Sequence, residues 1–108
     1  MLKQEAAPSL RLETILHALG DPVRLGIVRQ LAREGESSCA ALNGGRSKST
    51  MSHHFRVLRE AGLVVTRVQG VTHMNGLCRS AVEASFPGLL AAVIDCPVAG
   101  APVENSAA

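Results

Sequence analysis

The chain has 108 residues, 46% hydrophobic and 2% aromatic, with 11 Lys and Arg against 9 Asp and Glu, a formal net charge of +2. That is the size of one domain with one modest core, and it is too apolar for a disordered polypeptide. With no Trp and no Tyr, the core falls to Leu, Val, Ile and Ala, which suits packed helices better than a β-sandwich, and unpaired bases would find almost no aromatic platforms.

Residues 1–8 read as a loose arm with no long apolar stretch after its charges, so a secretory signal is not expected. Leu12, Ile15, Leu16 and Leu19 recur at helical spacing within 9–20, and Gly20 ends the stripe. Asp21-Pro22 is a helix start, a capping carboxylate followed by proline at the first helical position. That helix carries Val23, Leu25, Ile27, Val28 and Leu31 and stops near Gly35. Ser37 or Ser38 can cap a short third helix through Leu42, and Asn43-Gly44-Gly45 is a turn.

A fourth helix runs from about Ser47 to Ala61, with Gly62 as its terminating glycine. At about 100° per residue, Met51, His54, Phe55 and Leu58 share one side and Ser49, Ser52, His53, Arg56 and Glu60 the other. Residues 63–68, rich in β-branched side chains, read as a strand; Gln69-Gly70 makes a turn and residues 71–75 return. From Arg79 an apolar helix resumes with Val82, Phe86, Leu89, Leu90, Val93 and Ile94, kinked or delayed by Pro87. The expected organisation is an arm at 1–8, one domain over 9–95 and a flexible tail over 96–108.

The charge is segregated. Residues 1–45 hold five basic and five acidic side chains, 46–79 hold six basic and one acidic, and 80–108 hold three acidic and no basic. The central excess is an electrostatic footprint for a polyanion. No run of about 18 apolar residues is present, so no membrane span is expected. The three cysteines, Cys39, Cys78 and Cys96, are too few and too scattered for a disulfide framework, and the cytoplasm is the expected compartment.

The fourth helix carries the chemistry. Its first turn crowds Ser47, Lys48, Ser49 and Thr50 at a helix N-terminus, where free N–H groups and the dipole favour phosphate. Lysine and the hydroxyls would fix register on the backbone, while His53 and Arg56 would read base edges. Arg67 and Gln69 sit on the hairpin, where a cation follows the minor groove or backbone. His54 is expected to be packed and hydrogen-bonded rather than a DNA contact. There is no nucleophile elbow, no Gly-rich phosphate loop and no HExxH, so no enzyme is expected.

The fold class expected from this order is mainly α with a small β-hairpin, a winged helix–turn–helix. The runs HALGDPVRLGIVRQL and SKSTMSHHFRVLREAGLV, followed by the hairpin and a last apolar helix, resemble the ArsR/SmtB family of bacterial winged-helix repressors over about residues 9–94. The resemblance implies a homodimer joined by its first and last helices, with paired recognition helices on double-stranded operator DNA. Family members commonly sense metal or metalloid ions through a cysteine pair on the third helix or an Asp/His/Glu cluster on the last. Here Ser38-Cys39-Ala40 stands where the pair would be, and the last helix has no histidine.

Three thiols, Cys39, Cys78 and Cys96, remain as candidates for As(III) or another thiophilic metal ion, gathered by the fold or across a dimer. A thiol-redox switch and inert packed thiols are the alternatives. The expected function is a homodimeric DNA-binding transcriptional repressor released by a small inducer. A constitutive repressor, a winged-helix protein-interaction module and a thiol-based metal carrier are the competing readings.

Overall fold

The computed structural model of the chain describes residues 10–97, 99 and 100. The expected arm at 1–8 and much of the expected tail lie outside the described residues. The order is α1 (Leu12–Leu19), α2 (Pro22–Glu34), β1 (Ser37–Ser38), α3 (Cys39–Leu42), α4 (Lys48–Glu60), β2 (Val64–Gln69), β3 (Thr72–Leu77), α5 (Arg79–Ser85) and α6 (Leu89–Asp95). This is a winged helix–turn–helix.

Side-chain chemistry sets the helix ends. The Asp21 carboxylate caps α2 by accepting from the Val23 and Arg24 amides at 2.8 and 3.1 Å. Ser38 caps α3 and Ser47 caps α4, each accepting from the amide three residues on. At the far end of α4, Gly62 takes φ +82. Its N–H donates to the Arg59 carbonyl, and the Leu63 N–H reaches back to Leu58, both at 3.0 Å. This is a complete Schellman motif, with its apolar pair Leu58 and Leu63 fully buried.

One core joins the elements. Ile15 and Ala18 of α1, Ile27, Val28 and Leu31 of α2, and Met51, Phe55 and Leu58 of α4 meet Val64, Val82 and Leu90. Arg24 is buried among them. It donates to the carbonyls of Ala18 and His17 at the end of α1, and to Nδ1 of His54 on α4 at 3.1 Å. One α2 side chain thus closes α1 and fixes the rotation of α4, and His54 is the packed, bonded histidine the sequence suggests.

Three details differ from the sequence expectation. The wing has three strands, in the order β1-β3-β2, instead of two. A capping residue needs extended backbone; Ser38 takes φ −72 and ψ 160, and this lays Ser37 and Ser38 alongside Asn75 and Met74. The turn lies one residue later than expected: Gln69 pairs with Thr72, leaving Gly70 (φ +65) and Val71 as the loop. Finally, the last helix is two. Pro87 holds Phe86 extended, at φ −134, and Gly88 starts α6 at φ +86.

Arg29 of α2 secures α6 by donating to the carbonyls of Val93 and Cys96 at 2.9 and 2.6 Å. The stripe expected to serve dimerisation is partly used within the chain, since Val82 and Leu90 are fully buried. On α1, Leu12 and Leu16 stay 43% and 50% exposed. Among the described residues no helix is long and apolar enough to cross a membrane.

Candidate nucleic-acid interface

The first turn of α4 is a hydroxyl cluster. Ser47 Oγ accepts from the Thr50 amide at 3.2 Å and donates to Thr50 Oγ1 at 2.9 Å, with Ser49 Oγ 3.5 Å away. Ser47 is thus mainly a cap, while Lys48, Ser49 and Thr50 stand exposed around it. Ser52, His53 and Arg56 are exposed along the next turns, opposite the buried Met51, Phe55 and Leu58. The His53 ring lies 5.6 Å from that of His54, tilted by 53°. The fold therefore gathers seven of the nine expected contact residues on one helix.

The two wing residues lie elsewhere. Gln69 is exposed at the end of β2. Arg67 is exposed too, but its guanidinium holds the Glu36 carboxylate through two hydrogen bonds, at 3.1 and 2.6 Å. That hydrogen bond and the charge behind it hold the Glu36 carboxyl below the usual carboxylate range, although partial desolvation opposes the shift. The same pairing raises the Arg67 guanidinium further. Arg67 is neutralised as a phosphate ligand in this conformation.

Between α4 and the wing runs a groove of about 760 Å³. Lys48, Ser52, Phe55 and Arg59 line one wall, a helical stripe at spacings of four, three and four, and Thr66, Val68 and His73 line the other. The pairing of Val68 with His73 and Thr66 with Asn75 puts these side chains on one face of the wing. Three of the lining residues are basic (counting His73) and none is acidic. Arg59 and His73 were not singled out in the sequence. The stripe from Lys48 to Arg59 was available from helical spacing, but His73 depends on strand register.

The wing is fastened at its base. Asn75 is fully buried. Its Oδ1 accepts from Thr66 Oγ1 at 2.7 Å, and its Nδ2 donates to the Ser37 carbonyl and to Cys39 Sγ, each at 3.3 Å. Side chains of β2 and α3 and the backbone of β1 are thereby bound to one amide.

The three thiols sit apart in role. Cys39 opens α3 under Asn75, Cys78 precedes α5, and Cys96 is exposed after α6. Burial pushes the Cys78 thiol up, which disfavours the reactive thiolate. Among the described residues, no group of three or more His, Cys, Asp or Glu side chains is placed to hold a metal ion.

Residues 19–67 match the family model of a helix-turn-helix domain. The chain is 39% identical over 79 residues to the uncharacterized HTH-type transcriptional regulator YceK of Bacillus subtilis (strain 168), covering 70% of this chain and 79% of that protein. It is 41% identical over 67 residues to the arsenical resistance operon repressor of Staphylococcus xylosus, covering 61% of this chain and 64% of that protein. The crystal structure of the ArsR family transcriptional regulator RHA00566 superposes with a TM-score of 0.60 at 26% identity, over 68% of this chain and 80% of that one. With a basic recognition helix beside a wing, and with these relatives, the chain belongs to the ArsR family of winged helix–turn–helix transcriptional regulators.

Proposed function

We propose that the protein is a homodimeric repressor that binds double-stranded operator DNA and leaves it when a small inducer binds. The observation that carries this reading is the outer face of α4, where Lys48, Ser49, Thr50, Ser52, His53 and Arg56 are all exposed. A helix fits the major groove. With α4 there and the wing toward the neighbouring minor groove, the backbone strand between the two grooves passes over the groove of Lys48, Arg59 and His73. Exposed Leu12 and Leu16 on α1 supply an apolar face for a second copy. Two recognition helices would then meet half-sites about 34 Å apart.

The test is fluorescence anisotropy on labelled duplex from the region upstream of the gene. Log K should fall linearly with log salt. His53→Ala and Arg56→Ala should each cost about 1–3 kcal/mol and relax sequence preference, while Lys48→Ala weakens all sequences alike. A His53→Ala/Arg56→Ala double variant that binds like the wild type would reject the recognition face.

For the inducer, a second reading is release by As(III) or an oxidant acting on thiols. What favours it is the 41% identical relative named as an arsenical resistance operon repressor. Its donors would be two or three thiols brought together by the fold or across the dimer; no group of three or more such donors is gathered in one chain among the described residues. Release by arsenite that is lost in Cys39→Ser, Cys78→Ser or Cys96→Ser would support it; release unchanged in all three would reject it.

A further inference from the structure

We infer that the groove between α4 and the wing is an effector site for an amphipathic organic anion, a carboxylate on an aromatic or branched apolar body. The inference rests on the repressor reading for its consequence, but not for the site. At about 760 Å³ the groove falls within the size range of small-molecule sites.

Its chemistry is two-sided. Lys48 and Arg59 on α4 supply positive charge and His73 on β3 an imidazole that can hydrogen-bond an anion, with no carboxylate in the lining. None of the three takes part in an ion pair among the described residues; those found join Arg11–Glu13, Arg33–Glu34, His54–Asp21 and Arg67–Glu36. The other half is apolar. Val68 is 67% exposed and Val71 is fully exposed, both along the groove, with Phe55 and Met51 behind. A phosphodiester strand would satisfy the cations but leave that valine wall wet. An anion with an apolar body satisfies both, by charge pairing at one end and by burial at the other.

The consequence is direct competition. The anion takes the same cations that a DNA strand needs, so it binds the free protein and not the complex. At a free concentration of about ten times its Kd, the operator Kd rises about elevenfold.

The probe is 2-naphthoate, with neutral 2-naphthylmethanol as the uncharged control. The full chain has no Trp and no Tyr, so naphthalene fluorescence can be titrated with little protein background. Saturable binding of naphthoate is expected, with amide NMR shifts centred on Thr66, Val68 and His73. Arg59→Ala should weaken it about tenfold, and Val68→Asn should weaken both probes. A Cys78→Ser/Cys96→Ser variant, which keeps the Cys39 of the groove wall, should bind as the wild type does, so the site does not depend on a pair of thiols. Naphthylmethanol binding as tightly as naphthoate, shifts centred on α1, binding lost in Leu16→Glu but kept in Arg59→Ala, or no binding at millimolar naphthoate would overturn the inference. Naphthoate bound at the groove by a chain that ignores duplex DNA would leave the site standing and refute the repressor reading. DNA binding that naphthoate does not weaken would refute the competition.

Discussion

The Arg67 guanidinium and the Glu36 carboxylate, on β2 and just before β1, are joined by two hydrogen bonds. The one wing arginine expected to meet DNA is thus already occupied. Arg67→Ala should leave the salt dependence of operator binding almost unchanged. Glu36→Gln should release the cation and steepen the slope of log K against log salt by about one unit. Anisotropy titrations from low to moderate salt measure both. A large loss of slope in Arg67→Ala would show that the arginine leaves Glu36 for phosphate in the complex.

Asp21 links stability to pH. Partial burial pushes its carboxyl up, but the Arg24 and Val23 amides and the nearby charges of Arg24 and His54 outweigh this, and it lies below its ordinary value of 3.8. A lowered carboxyl contributes stability that is present above the unfolded value and is lost as pH falls through the folded one. Asp21→Ala should cost about 0.5–2 kcal/mol near neutral pH as a lost cap. In urea titrations the difference between wild type and variant should shrink as the pH drops below 3.8. A difference constant down to pH 2 would contradict this.

Gly62→Ala should be destabilising by about 1–2 kcal/mol from its left-handed backbone alone. The added Cβ would also collide with Leu10 Cδ2, the far end of a flexible side chain that can move aside. A lower thermal midpoint with unchanged spectroscopic helix content is the expected result. An unchanged midpoint would mean the helix end re-forms another way.

Leu16 and Leu90 should respond differently to a buried-charge test. Leu16 is half exposed, so Leu16→Glu should give folded monomers by sedimentation, with operator affinity down about a hundredfold or more as two-site binding is lost. Leu90 is fully buried in its own chain, so Leu90→Glu should unfold the protein rather than split a dimer. Folded Leu16→Glu dimers would show that α1 does not join the subunits.

The helices were legible because each end carries a local signal: Asp21-Pro22, Ser38, Ser47 and Gly62 act within a few residues of themselves. The recognition face was legible for the same reason, being one helix read at a fixed period. What escaped was non-local. Glu36 meets Arg67 across the sheet, His73 enters the groove through its pairing with Val68, and Ser37 becomes a strand only because Asn75 lies opposite. Leu90 looked like half of an interface because periodicity reports an apolar face without saying which chain covers it.

The pairing of Val68 with His73 also makes the wing a parity device. Alternate residues of β2 face opposite ways, so Thr66 and Val68 look toward α4 while Arg67 looks away toward Glu36. One residue inserted between Val64 and Thr66 would exchange the two sets. The arginine would then enter the groove and the valine would turn out to solvent. Length changes in that stretch should therefore be tolerated in steps of two, whereas a change in the Gly70–Val71 loop leaves Thr66, Val68 and His73 facing the recognition helix and moves only Val71.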